Sequence, residues 1–383
     1  MKNSRPFYKK KKYLFLFAIV ILLIAFRIYL PTIVKNQINK TLANIPGYYG
    51  QVKDIDIALY RGAYVIKGMY LNKGTAKTQV PFLNFPKNEI AIEWESLFKG
   101  KIVSQIIMTN PEVIYVFEDQ KQTTKDADVD DWTKALTDIV PIDINHFEIH
   151  QGKLAFVQLQ ANPDIDLQIT NFEMYADNLK NVTSTSRTLP SPFHATGTTF
   201  GKGTLLLDGN INLIKEIPDM DLTFSLKSAN AMALNDVTNH YIGIDFDKGT
   251  FELFSEIAIA DGYLKGYIKP LLTNTKLIGK EDGIVETIWE GFVGFFKFIL
   301  KNQKTNTLAL KIPLEGDLKN VKSSTWPTVI SIFKNAWFGA FKRETDDEIS
   351  FKDAFIKANK PATKKEIRQK KREARKENRN KNK

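Results

Sequence analysis

Residues 13–30, YLFLFAIVILLIAFRIYL, form an apolar run that holds one charge, Arg27. As a helix they extend ~27 Å at ~1.5 Å per residue, close to the ~30 Å hydrocarbon core of a bilayer. Beyond them the hydrophobic period changes to two. Ile55, Ile57 and Leu59 alternate with polar or small neighbours; so do Ile165, Leu167 and Ile169, then Met220, Leu222, Phe224 and Leu226, then Leu308, Leu310, Ile312 and Leu314. Period two means strands with one apolar and one wet face. Asn72-Lys73-Gly74, Gln151-Gly152-Lys153, Asp208-Gly209-Asn210, Asp247-Lys248-Gly249 and Asp261-Gly262 read as hairpin-type turns between them. The Ser/Thr/Pro/Gly-rich stretch 181–203 reads as a long loop. The pattern therefore predicts a long antiparallel meander.

Helical spacing appears in a few places. Asp131 can cap a short helix running to Ile139, with Trp132 and Leu136 four apart. Residues 284–300 are apolar almost all round, yet Glu286, Glu290 and Lys297 make them a poor spanning segment. In residues 326–341, Pro327 sits in the first turn, and Ile330, Phe333, Trp337 and Phe341 make one stripe. Two readings stay open for these C-terminal amphipathic helices: they lie in a membrane interface, or they plug an open end of the β-layer.

Charge sets the topology. Six cationic residues and no acidic one precede Tyr13, so the positive-inside bias keeps the N-terminus cytoplasmic and sends the rest across. Arg27 lies near the far end of the run, where its side chain can snorkel to headgroups. The bulky Tyr29-Leu30-Pro31-Thr32-Ile33 offers no small-x-small cleavage site, which favours a retained anchor over a signal peptide. The net charge of +11 is uneven: residues 1–12 carry +6 and residues 360–383 carry +9, leaving 13–359 at −4. A slightly acidic body between two basic ends is not a nucleic-acid-binding body. The basic tail reads as a solvated end, a headgroup binder or an ion-paired helix. With no cysteine, disulfides and thiol chemistry are excluded.

Catalytic and metal patterns are weak. His146 and His150 are four apart, but they lie in an alternating stretch, where a strand separates them by ~13 Å, too far to share one ion. Asp126, Asp128 and Asp130 resemble the start of a calcium loop, but Asp131 replaces the required Gly and Thr137 the bidentate Glu. Gly201-Lys202-Gly203-Thr204 lacks the spacing of a phosphate loop, and no Gly-x-Ser-x-Gly elbow occurs. The expectation is a non-enzymatic protein without cofactor or metal.

The order anchor, meander, then short helix and paired strands resembles the AsmA-like envelope proteins of Gram-negative bacteria. The resemblance is carried by WTKALTDIVPIDINHFEIHQGKLAF (132–156) and by LNDVTNHYIGIDFDKGTFELFSEIAIADGYLKGYIKPLL (234–272). In the second, Asp247-Lys248-Gly249-Thr250 is expected to turn the hairpin. The resemblance implies a mainly β fold, an elongated curled antiparallel sheet with a hydrophobic groove, and a role in phospholipid transport or outer-envelope homeostasis. It implies no catalytic residues. The expected layout is a leader (1–12), an inner-membrane anchor (13–30), a periplasmic β domain (31–283), C-terminal helices with an intervening strand (284–359) and the basic tail (360–383). Ile55, Ile57, Leu59, Ile165, Leu167, Ile169, Met220, Leu222, Phe224 and Leu226 are the candidate lipid-facing residues, and Ile330, Phe333, Trp337 and Phe341 the candidate membrane-interface stripe. The same alternation also suits a closed sandwich core. The alternative function is a periplasmic scaffold that binds another envelope protein, or a second copy, through an edge strand. About sixteen strands at ~4.8 Å would reach ~75 Å, short for a bridge between two membranes.

Overall fold

The computed structural model describes residues 11–45, 47–92, 103–120, 143–179, 189–212, 219–279, 307–309 and 311–318. The expected helices at 131–139, 284–300 and 326–341, including Ile330, Phe333, Trp337 and Phe341, lie outside the described residues, as does the basic tail.

Helix α1, Lys11–Ala43, carries the apolar run and continues through Pro31. The missing proline N–H costs one helical hydrogen bond but does not end the helix, so the boundary expected at Leu30 moves to Ala43. The helix is long and apolar enough to cross a membrane. Fourteen strands share one sheet: β1 Tyr48–Ala58, β2 Ala63–Lys73, β3 Leu83–Ile92, β4 Val103–Thr109, β5 Glu112–Val116, β6 Asp143–Gln158, β7 Ile165–Asp177, β8 Ser191–Thr198, β9 Thr204–Asn212, β10 Asp219–Asn230, β11 Ile244–Ala260, β12 Tyr263–Gly279, β13 Thr307–Ala309 and β14 Ile312–Asp317. Two short helices join them, α2 at Phe117–Gln120 and α3 at Asn235–Ile242.

The strands stack in chain order. β4 and β5 lie end to end on one rung, broken at Asn110-Pro111, and β13 and β14 share another in a single register. Twelve rungs result, ~53 Å across at ~4.8 Å per step, shorter than the ~75 Å expected. The sheet is mostly antiparallel. β4 and β5 instead run parallel to β6, which requires the long crossover connection, residues 117–142, that parallel neighbours need.

Three expected turns are not turns. Gln151-Gly152-Lys153, Asp208-Gly209-Asn210 and Asp247-Lys248-Gly249 lie inside β6, β9 and β11; the hairpin turns at Asp261-Gly262 instead. The first of these sites lies on a line of irregular pairs across the sheet. Lys53 faces Gly68, Gly68 faces Pro86, Pro86 faces Asn110, and Asn110 meets Gln151. Asn171 and Ser228 continue the line at bulges in β7 and β10. Gly68, Asn110, Gln151, Asn171 and Ser228 all have φ between 48° and 62°. Each such residue shifts the side-chain alternation by one position. Val52 and Ile55, and likewise Ile66 and Met69, are three apart in sequence yet share one core.

The expected loop 181–203 also gives way to structure: residues 191–198 form β8, and 200–202 a short 3-10 turn. The inward residues of β8, Phe193, Ala195 and Gly197, are too mixed in size to show period two by type. Gly197 is small because a Cβ there would stand 3.0 Å from Ile169 Cγ2.

The sheet is covered at both ends. Ile38 and Leu42 of α1 pack with Tyr48, Val52, Ile55 and Ile66. Three bonds set the direction of β1 beside α1: Arg27 donates to the Ile57 carbonyl, Lys35 Nζ to the Lys53 carbonyl at 2.6 Å, and the Val52 amide to Asn39 Oδ1 at 2.7 Å. β1 thus runs antiparallel to the C-terminal half of α1, back toward its apolar run. Toward the middle, α3 is held by Asn235, whose side chain both donates to and accepts from Phe246 at 3.1 and 2.8 Å. Val237 of α3 then closes over Ile165 and Ala161. At the far end Leu314 and Leu318 cover Ile259 and Leu264.

Leu42 is 0% exposed, so Leu42→Ala should cost about 2–5 kcal/mol through lost burial and a cavity. Leu59→Ala, at an exposed turn, should stay within about 0.5 kcal/mol. Urea melts of the full chain in detergent, followed by circular dichroism, check both.

Candidate functional site

Two registered rows of side chains cross the whole sheet on the face that α1 covers at one end. One runs from Ile57 through Tyr64, Ile90, Ile106 and Phe147 to Ala176. It continues through Phe193, Gly209, Leu222, Ile257 and Gly266 to Leu314. Every position is apolar except for the phenol of Tyr64, whose pKa burial raises. The second row lies two residues away, from Ile55 and Ile66 through Met108, Ile149, Met174, Ala195, Leu207 and Phe224 to Ile268 and Ile312. Asn88 and Ser255 are its two polar members.

The close spacing depends on glycine at one place. Gly209 has φ 156°, and a Cβ there would stand 2.0 Å from the Asp221 carbonyl. Any larger residue would push β10 away and break both rows at Leu222.

Exposure varies along the rows. Ile55, Ile66, Ile90 and Ile106 are buried beneath or beside α1, and Leu314 is buried at the other end. Between them, Phe147, Ile149, Met174, Phe193, Leu207, Leu222, Phe224 and Ile257 are half-buried. Met174, Phe193, Leu207 and Leu222 belong to no core cluster among the described residues. The larger side chains in the middle of the path are thus partly open, with Ala176, Ala195 and Ser255 buried between them, and Ile57, Tyr64 and Ile268 nearer the ends are half-buried as well.

The candidates read from sequence distribute unevenly along it. Leu222 and Phe224 lie on the open middle, and Ile57 and Met220 near the covered ends. Ile55, Ile165 and Leu226 are packed core residues. Leu167 packs against core clusters, and Ile169 is half-buried beside Gly197. Leu59 leaves the strand, which ends at Ala58, and is exposed in the turn that follows. Sequence reasoning missed Phe147, Ile149, Met174, Phe193 and Leu207. The hint was present for Phe147 and Ile149, which alternate with His146, Glu148 and His150, but those residues were weighed as metal ligands.

The opposite face of β6–β9 carries that polar ladder. Glu148 bridges the two rings, to His146 Nε2 and, at 2.7 Å, to His150 Nε2. The remaining nitrogens meet Asp177 Oδ1 at 2.5 Å and Glu173 Oε2 at 2.9 Å. Each imidazole nitrogen is thereby engaged by a carboxylate rather than offered to an ion. Among the described residues no group of three or more His, Asp or Glu is arranged to hold a metal. On the next rungs His194 pairs with Asp208 at 2.5 Å.

Burial pulls the His146 pKa down, but hydrogen bonds to Asp177 and Glu148 outweigh it and leave the pKa raised. Hydrogen bonds that His150 donates to the Glu173 and Glu148 carboxylates raise its pKa. Burial pushes Glu148 up, and its two histidine partners more than reverse this. The histidine contribution to stability is therefore complete below the ordinary value of 6.5 and is lost as pH rises through the raised pKa. The Glu148 contribution is complete above 4.5 and lost as pH falls. Melting temperature should fall between pH 6 and pH 9, and His150→Gln should flatten that fall. Surface pairs contribute ~1 kcal/mol or less, so the shift should not exceed about 2–4 °C; differential scanning fluorimetry measures it.

Compared with known proteins, the chain matches no protein-family model and no curated sequence.

Proposed function

We propose that this chain is an AsmA-like, inner-membrane-anchored protein whose apolar sheet face binds phospholipid acyl chains on the periplasmic side, in support of lipid or outer-envelope homeostasis. The observation that carries this reading is the pair of registered apolar rows, whose larger middle residues Phe193, Leu207 and Leu222 are half-buried and belong to no core cluster among the described residues. An acyl chain laid across several rungs gains ~0.8 kcal/mol per buried methylene and needs no polar contact. A closed sandwich would instead bury Phe193, Leu207 and Leu222 as fully as Ile55 and Ile165.

The anchor geometry supports work at a single membrane. β1 runs antiparallel beside α1, so the hydrogen-bonding direction of the sheet leaves the helix sideways. The ~53 Å of stacked strands then extends along the bilayer rather than across a gap between two bilayers. Delivery elsewhere would need a partner or further copies of the chain.

Leu207 and Leu206 are neighbours on β9 that face opposite sides. Leu207 lies on the apolar path, and Leu206 is 37% exposed on the other face. An unpaired carboxylate among acyl chains is costly, so Leu207→Asp should lower the phospholipid that co-purifies with the full chain at least several-fold. Leu206→Asp should not. Circular dichroism and melting temperature establish that both variants are folded before lipid is quantified by mass spectrometry. Equal lipid on the two folded variants, or none on the wild type, overturns the groove.

A further inference from the structure

A second, polar feature lies where β1 meets the bilayer. Counting ~20 residues for a ~30 Å core from Tyr13 places the outer boundary near Thr32. Arg27, which donates to the Ile57 carbonyl, therefore lies ~7.5 Å inside that boundary, within reach of snorkelling to it. β1 arrives there from above, so the turn that follows, Leu59-Tyr60-Arg61, reaches the inner side of the interface. Its side chains suit that depth: Leu59 is exposed, and Tyr60, at 85%, is the most exposed large hydrophobic among the described residues. Tyr and Arg are the residues that favour the headgroup layer.

Between α1 and the first three strands is an open cavity of about 290 Å³, bounded in part by Arg27, Pro31, Asp56, Arg61 and Glu89. That is close to the lower limit of small-molecule sites, roughly 300 Å³. Its lining carries the guanidiniums of Arg27 and Arg61 and the carboxylates of Asp56 and Glu89; Lys67 already pairs with Asp56, and Lys87 stands 3.8 Å from Glu89. Arg61 and Glu89 approach to only 3.4 Å, which leaves their best hydrogen-bonding geometry unused.

We propose that this cavity binds the headgroup of one phospholipid bearing a primary ammonium, of the phosphatidylethanolamine type, drawn from the leaflet that α1 leaves. The phosphodiester fits the planar forks of Arg27 and Arg61, which offer paired N–H donors. The ammonium, with three N–H donors, fits Glu89, whose partners Arg61 and Lys87 stand off at 3.4 and 3.8 Å. An anionic glycerol headgroup would satisfy the arginines but offer Glu89 neutral hydroxyls in place of a cation. A quaternary ammonium has no N–H to give it, and no aromatic ring among the described residues lines the cavity to take its place. The proposal rests on the lipid reading above for its class of ligand, but not on the apolar rows.

The test uses the full chain in phosphatidylcholine nanodiscs doped equally with phosphatidylethanolamine and phosphatidylglycerol, with retained lipid identified by native mass spectrometry. The wild type should keep one phosphatidylethanolamine in preference to the other two. Arg61→Gln, at an exposed side chain, should lower that retention about tenfold. Glu89→Gln should retain a lipid but lose the preference for the primary amine. Leu207→Asp should reduce total lipid and leave this preference intact. Equal retention of the three lipids by the wild type, or unchanged selectivity in both Arg61→Gln and Glu89→Gln, overturns the headgroup site. Loss of the Leu207→Asp effect alone overturns the acyl-chain groove and leaves the headgroup site standing.

Discussion

Side-chain alternation in a strand has period two, and a face that stays apolar across many strands must keep that period in phase on every rung. In this protein the phase is reset on most rungs at a similar height. Where β1 changes parity at Lys53, β2 changes opposite it at Gly68, β3 at Pro86, the β4–β5 rung at Asn110 and β6 at Gln151. An irregularity in one strand alone would turn the rest of that strand inside out relative to its neighbours. Matched irregularities keep the neighbours in step, and bulges also bend and twist the strands they occupy. Non-glycine residues at positive φ cost of order 1 kcal/mol or more each, so the alignment is maintained against a standing penalty. The apolar rows and the cores under α1 and α3 all depend on it.

The second organising contact is between α1 and β1. A membrane helix joined to a sheet by a flexible tether would leave the sheet free to tumble. Here the helix continues past its apolar run, and Leu42 enters the same core as Val52 and Leu71. The bonds at Arg27, Lys35 and Asn39 fix both the direction and the height of β1. The orientation of the sheet relative to the apolar helix is thereby a property of the fold.

The alternating stretches at 55–57, 165–169 and 220–226, and Leu308, Ile312 and Leu314 of the last one, were legible in the sequence and lie in strands, with Leu310 outside the described residues; so was the apolar N-terminal helix. What misled was glycine beside polar residues. Such pairs make hairpin turns but also sit inside strands, at bulges (Gly152, Lys248) or in an unbroken ladder (Gly209). Local sequence cannot separate the two; the length of the paired neighbour decides. β8 was illegible because its inward positions are sized to fit Ile169, Leu207 and Gly209 on adjacent strands, a tertiary constraint. The candidate site was half legible for the same reason. Leu222 and Phe224 announced themselves by alternation, whereas Met174, Phe193 and Leu207 join the path only through register with strands remote in sequence.

The strictly sequential stacking of rungs has a consequence for how the molecule can be made. Each rung pairs with the one before it, with β5 joining β3 and β14 joining β12, so the sheet can grow rung by rung from the N-terminal end. β1 has α1 beside it as soon as it is exposed, and every later strand finds its template already in place. A chain passed through a membrane pore in that order never has to hold a completed strand waiting for a distant partner. Among the described residues the advancing edge is the short β13–β14 rung, where Pro313 has no N–H to donate to a further neighbour.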